Sequence, residues 1–321
     1  MKDGHVRPVC VLGLGLIGGS VLKAVTRAGR DAFGATLEPV SDPRVAPSVT
    51  AALERAAASD ALVVVAVPLT VVDDVLREVA AHAPNCLLTD VVSVKQPVVD
   101  AVAKHLPKAR FAGGHPMAGK SESGWDAATE TLFDGAAWVV TTDEDTPHDA
   151  WRAAVELALS CGAQVVPTTT REHDAAVARI SHLPHIMAAV LASTGADGGS
   201  LALSLAAGSF RDGTRVMSTR PELVLAMCEG NRGQLLEAVD EALGRLGAAR
   251  GALASTGGLA ATVRAGHEGR QALEDLRNAD QEEIPIDLTD SEAFETLRDL
   301  GTAGGRVLRL EGDTAIGAMP A

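Results

Sequence analysis

Short apolar runs recur through the first half of the chain, each closed by glycine, proline or a polar turn. Residues 9–12, 61–67 and 86–88 hold no charged side chain, the pattern of parallel strands covered on both faces. Residues 32–37, 109–112, 136–140 and 164–166 are further short runs of strand character. Between them, residues 21–28, 71–82, 98–105 and 150–161 repeat apolar positions every three or four places, which predicts helices. Residues 39–47 carry three prolines, so the crossover there reads as a loop rather than a full helix. Strands alternating with helices predict an α/β fold, with a doubly wound parallel sheet of the Rossmann kind over residues 1–170.

The pattern changes after Thr170. Residues 171–193 read as a long helix interrupted only by Pro184, and residues 221–230 and 235–253 add helices rich in leucine and alanine. The last has a broad apolar stripe, and helices that bury such faces outside a sheet often do so against a second copy. Residues 171–280 are therefore expected to form an all-helical domain for substrate binding and dimerisation, and the protein a homodimer. Residues 280–290 are acidic and carry Pro285, which reads as a linker. A short helix over 291–300 and a hairpin around Glu311-Gly312-Asp313 complete a short C-terminal α/β tail, 281–321.

Composition narrows the class. The net charge of −14 and a pI near 5.0 argue against nucleic acid or an anionic membrane as partner. An anionic small molecule would then need local cationic groups. The four cysteines are widely spaced, with no pair at metal-ligand separation, so neither disulfides nor a metal site are expected, and a reducing cytoplasm is. The first residues lack a signal-peptide pattern, and no apolar stretch is expected to span a bilayer.

The run at residues 9–12 feeds directly into Gly13-Leu14-Gly15-Leu16-Ile17-Gly18-Gly19-Ser20 and then a helix. This is the context a dinucleotide-binding loop requires. Gly13 makes the tight turn, Gly15 lets backbone approach a pyrophosphate, Gly18 lets helix and strand pack, and the helix start at Leu16 and Ile17 offers free N–H groups. At the end of the second strand, where an acidic residue usually binds the ribose 2′-hydroxyl, stands Thr36, with Glu38 two places on. Glu38 could serve an NAD site, and Arg44 could equally reach the 2′-phosphate of NADP. Val67 and Pro68, closing the third strand, complete the expected cofactor set.

His115 follows Gly113-Gly114 and precedes Pro116 at the end of the 109–112 run, on the sheet edge that carries the glycine loop. It reads either as a structural histidine or as a base near neutral pH. Ser93 lies in a strand-to-helix loop on the same edge, where a helix cap is its ordinary role. His182 and His185 lie three apart in the long helix. Arg211 and Arg215 sit in a polar segment and could grip a carboxylate.

Together these segments resemble the prephenate/arogenate dehydrogenase family of tyrosine biosynthesis. The match is carried by residues 13–20, Asp90-Val91-Val92-Ser93-Val94-Lys95, residues 113–119 with Ser123-Gly124, Ser181-His182-Leu183-Pro184-His185, and Phe210-Arg211-Asp212-Gly213-Thr214-Arg215. It spans roughly residues 9 to 250, and the tail from Glu282 is similar to that of actinobacterial members. The resemblance implies NAD(P)-dependent oxidative decarboxylation of a cyclohexadienyl substrate. Hydride leaves C4, the C4 hydroxyl loses its proton and the ring carboxylate departs as CO2. By the same resemblance His115 is the base, and Ser93 orients hydroxyl, histidine and nicotinamide. Arg215 holds the ring carboxylate, Asp212 supports the site, and His185 and His182 line the substrate pocket.

Three departures bear on specificity. Ser121 stands where many members carry an acidic residue, with Glu122 one place later; Val224 replaces a common tryptophan; Thr36 replaces an aspartate of NAD-using members. Prephenate, arogenate and 4-amino-4-deoxyprephenate therefore remain open as substrates, and NAD is slightly favoured over NADP. A non-catalytic dinucleotide sensor, and a β-hydroxyacid or imine reductase of the wider superfamily, are the competing readings. The joint presence of His115, Ser93 and Arg215 favours the dehydrogenase.

Overall fold

The structure is a computed structural model describing residues 7–120 and 122–321. Ser121 thus lies outside the described residues. The first apolar run is β1 (Val9–Leu12), followed by α1 (Leu16–Arg27), β2 (Ala32–Ala35), α2 (Val49–Ser59), β3 (Leu62–Val65), α3 (Val72–His82), β4 (Leu87–Asp90), α4 (Gln96–His105) and β5 (Arg110–Ala112). The five strands form one parallel sheet in the order β2-β1-β3-β4-β5. Residues of β1, β3 and β4 are buried on both faces, as their unbroken apolar sequences require.

Two sequence expectations change here. The second crossover is a loop and then a full helix: Ser48 accepts the Ala51 N–H at 3.1 Å, and the alanine-rich α2 starts directly after the prolines. The prolines fix where the helix begins. The second strand also ends at Ala35 rather than Leu37, because the loop returns alongside it: the Gly34 N–H donates to the Arg44 carbonyl (3.1 Å) and the Ala46 N–H to the Gly34 carbonyl (2.8 Å).

At Gly113 the chain leaves the first sheet. β6 (Gly114–Pro116), β7 (Ala137–Thr141) and β8 (Gln164–Thr168), with α5 (His148–Ser160) between the last two, open a second, six-stranded sheet. β6 is an edge strand antiparallel to β7, so Pro116 sits where a missing N–H is tolerated. The C-terminal segment completes this sheet with β9 (Gln281–Asp287), β10 (Arg306–Glu311) and β11 (Thr314–Pro320), in the order β6-β7-β8-β10-β11-β9. The acidic stretch read as a linker is therefore largely strand β9. Ile286 is buried along it while the carboxylates face out, and Pro285 is tolerated because the strand is at the edge.

The chain divides into two compact units. One runs to His173 and includes Glu283–Ala318; the other comprises Asp174–Glu282 with Met319–Ala321. α6 (Thr170–Val177) continues through a π-helical turn, Ala178–His182, into α7 (Leu183–Asp197). Pro184 supplies the reason: it has no N–H to donate to the preceding turn, and the wider turn absorbs the mismatch. α8 (Gly199–Ser204), α9 (Gly208–Thr214), α10 (Pro221–Gly230), α11 (Arg232–Ser255) and α12 (Ala260–Asn278) follow. The helix Thr170–Asp197 is, among the described residues, long and apolar enough to cross a membrane by length and composition, which the sequence pattern did not lead us to expect. Arg171, Glu172, Asp174 and Arg179 stand in its first half.

Candidate active site

The glycine loop has the shape its sequence demands. Gly13 takes φ +94°, and a side chain there would meet the Ala66 carbonyl at 2.6 Å, so the turn presses on the end of β3 beside Val67. A Cβ on Gly18 would lie 1.9 Å from the Gly13 carbonyl; only glycine lets α1 start so close to the turn. Gly15 is different. It is the N-cap of α1, makes no side-chain cap, and has nothing within 4 Å of where its Cβ would be. The first N–H groups of α1, from Leu16 to Gly18, have no acceptor within the helix and face this open ground. Those donors and that space fit a dinucleotide pyrophosphate.

The end of β2 is more informative than its sequence. Thr36 is half-buried, and Leu37 and Glu38 are exposed in the loop beyond Ala35, so no strand parity joins Thr36 to Glu38. Arg44 is committed elsewhere. Its guanidinium clamps Asp42 (2.6 and 2.8 Å) and donates to Thr26 at 3.0 Å, holding the Asp42 carboxyl down at about 2. Thr26 is ten residues along α1 from Leu16, about 15 Å of helix from the pyrophosphate ground.

His115 occupies the middle of β6, opposite Val139, half-buried. It is not at the end of a strand of the parallel sheet, as the sequence suggested, but two residues past the crossover at Gly113 into the second sheet. What fixes that crossover is a wholly buried ion pair between Asp90 and Lys95. Lys95 Nζ also donates to the Gly114 carbonyl at 2.5 Å, and the Gly114 N–H donates to Asp90 Oδ1 at 3.1 Å. A Cβ on Gly114 would lie 2.5 Å from the Asp90 carbonyl, so the approach requires glycine. Ser93 lies in the bend between Asp90 and Lys95. The N-cap of α4 is Lys95, without a side-chain cap, so Ser93 is not the helix cap its sequence context allowed.

His115 also contacts a side chain that the sequence did not reveal. Its Nδ1 lies 2.8 Å from Nε2 of His173, which is 2% exposed, and the rings meet edge-on at 80°. After β6, the chain folds back on α1: Ser20 accepts the Thr129 N–H at 3.0 Å, and Lys23 donates to the Ala128 carbonyl at 2.8 Å and lies over the Trp125 ring.

In the helical unit, His182 and His185 have different surroundings despite their spacing. His182 is buried, and Asn231 Nδ2 donates to its Nδ1 at 3.1 Å and to the Asp174 carbonyl at 2.7 Å. His185 is half-buried and donates from Nδ1 to the Ser181 carbonyl at 2.8 Å. Asp212 is exposed on α9, and Arg215 opens the 3-10 turn after it, exposed and with no ion pair among the described residues. The polar segment that holds Arg211 and Arg215 is thus helical. Sequence reasoning missed His173, the Asp90–Lys95 pair and Asn231. Only Asp90 and Lys95 carried a signal, by flanking Ser93 in a matched motif.

A parallel sheet with an open glycine turn at its carboxyl edge, and a histidine held just past that edge, defines a nucleotide-binding oxidoreductase fold. Residues 42–167 match the family model for the prephenate dehydrogenase nucleotide-binding domain, and residues 169–257 that for its dimerization domain. The chain belongs to the prephenate dehydrogenase family. It is 33% identical over 259 residues to prephenate dehydrogenase of Bacillus subtilis, covering 75% of this chain and 67% of the relative. A crystal structure from Corynebacterium glutamicum, provisionally named a prephenate dehydrogenase, superposes with a TM-score of 0.87 at 43% identity, over 94% of this chain and 98% of that one. Synechocystis arogenate dehydrogenase gives 0.72 at 26% identity, over 83% and 100% of the two chains.

Proposed function

We propose that the protein is an NAD-dependent dehydrogenase that converts prephenate to 4-hydroxyphenylpyruvate and CO2, within tyrosine biosynthesis. The observation that carries this reading is His115, pinned through Gly114 and in contact with His173 through Nδ1, just past the sheet edge that carries the glycine loop. A nicotinamide cofactor held at the glycine loop would supply the hydride acceptor. Ser93 orients the reacting groups, Arg215 holds the ring carboxylate with Asp212 beside it, and His185 and His182 line the pocket. Aromatisation drives the reaction, so orientation and one base of matched pKa suffice.

Residues 1–170 then bind the dinucleotide, residues 171–280 serve substrate and dimer, and the tail 281–321 extends the second sheet. A homodimer is supported by α11, where Leu236, Leu243, Leu246 and Leu253 are each more than half exposed at heptad-like spacing. NAD is favoured because Arg44 is spent on Asp42, which leaves Glu38 as the candidate for the ribose hydroxyl. The test is cofactor reduction with prephenate, arogenate and 4-amino-4-deoxyprephenate, each with NAD and NADP. Turnover is expected with prephenate and NAD; reduced-cofactor binding without turnover of any of the three would support a sensor instead. Arogenate is the second reading, since a 26% identical structural relative is an arogenate dehydrogenase.

A further inference from the structure

We infer that His173 is a positioning residue that sets the tautomer of His115 and stabilises its protonated form. The inference rests on the proposal that His115 is the base.

The contact itself is asymmetric. His115 Nδ1 and His173 Nε2 are 2.8 Å apart, so one proton lies between them. If His173 donated it, neutral His115 would carry its own proton on Nε2 and could not accept another there. If His115 donates it, Nε2 of His115 is the basic nitrogen. The surroundings of His173 favour the second arrangement. It is 2% exposed, and its N–H closes the first turn of α6 on the Thr169 carbonyl at 2.9 Å. Burial and the positive end of a helix both disfavour an imidazolium there, so His173 stays neutral and accepts.

The charged groups on the surrounding elements of this unit are few. Asp90 and Lys95 beneath Gly114 cancel each other. Glu172, beside His173 in sequence, is held by Thr168 and Thr169, and Asp143 by Thr170. Arg171 also stands on α6, and Lys120 and Glu122 follow β6 along the chain. The proton balance of the reaction gives the pair its task. The substrate hydroxyl proton passes to His115 Nε2 as hydride leaves C4. It returns to the phenolate oxygen once CO2 has gone. Between those events His115 is an imidazolium, and its Nδ1–H bond to His173 is then charge-assisted.

Three variants test this. His173→Phe keeps an aromatic of similar size but removes the acceptor; His173→Gln restores an acceptor oxygen; His115→Asn is the reference for loss of the base. We expect His173→Phe to lower kcat by roughly 10- to 100-fold with KM within about twofold. The acidic limb of its kcat/KM profile should move to lower pH, because the protonated form has lost its partner. His173→Gln should recover most of the rate and return the limb towards the original pH.

Nitrogen-15 NMR of the free protein gives a readout that does not depend on turnover. His115 should carry its proton on Nδ1, and lose that preference in His173→Phe. A His115 proton on Nε2 in the unaltered protein, or an unmoved pH limb in a folded His173→Phe, would overturn the inference. Failure to oxidise prephenate with the tautomer intact would overturn the proposed function instead.

Discussion

Asp90 and Lys95 are both fully buried, and a bond from each converges on one residue, Gly114, directly before His115. An uncompensated charge in that position is expensive, whereas the pair as a whole is close to neutral in its effect. Lys95→Met should therefore cost about 3–5 kcal/mol of stability, seen as a large drop in Tm. Asp90→Asn combined with Lys95→Met should recover much of that loss. It should not recover kcat, because the Gly114 carbonyl would still lack its donor. A double variant with full activity would show that His115 is held without the pair.

The glycine loop offers a cleaner separation of folding from binding. A Cβ at Gly15 meets no protein atom, and its φ of −75° suits alanine. Gly15→Ala should melt with the unaltered protein yet raise the NAD KM at least about tenfold, a loss of some 1.4 kcal/mol. Gly18→Ala, with its Cβ forced to 1.9 Å from the Gly13 carbonyl, should instead fail mainly by destabilisation. Arg44→Ala should leave the NADP KM unchanged, since its guanidinium is bound to Asp42 and Thr26. A marked loss of NADP affinity would mean that Arg44 leaves Asp42 when cofactor binds.

These cases mark how much was legible in the sequence. Local patterns could be read, because an apolar run such as Val9–Leu12 has one stable use and a glycine turn before a helix has another. The parallel sheet, the helical half and the open loop at Gly15 follow from such signals. What the sequence concealed was which sheet a short strand joins. Nothing in residues 109–116 shows that Gly113 is a crossover, because the evidence for it is the Asp90–Lys95 pair from another loop. β9 was hidden in the same way, its alternation masked by acidic residues on the exposed face. His173 lies 58 residues from His115, and no spacing rule relates a β-edge position to the first turn of a later helix.

The cysteines give a test of the core. Burial pushes the thiols of Cys10 and Cys161 up to about 12, and burial also raises Cys86 and Cys228. Alkylation proceeds through the thiolate, which near pH 8 is a substantial fraction of an ordinary thiol and a vanishing one at such values. Alkylation of the native protein at pH 8 should thus label neither Cys10 nor Cys161, and mass spectrometry after unfolding should find four modified sites. Fast native labelling of Cys10 would mean that α2 opens from β1, since its Sγ contacts the Ala52 carbonyl at 3.7 Å.

The roles of His115 and Arg215 can be told apart by kinetics. His115→Asn keeps a hydrogen-bonding group, so NAD binding and much of the substrate binding should survive. The proton, however, has no acceptor, and kcat should fall by roughly 10²–10⁴-fold, the range of a positioned general base. Arg215 is exposed and without an ion pair among the described residues. If Arg215 holds the ring carboxylate as proposed, Arg215→Ala removes a contact made from the ground state onward, so KM for prephenate should rise strongly while kcat changes less. Arg215→Lys should recover only part of the loss, because an ammonium cannot reproduce a bidentate grip. If instead His115→Asn kept near-normal kcat, the histidine would be structural. The base would then have to be sought elsewhere, and His173, the imidazole in contact with it, would be the first residue to replace.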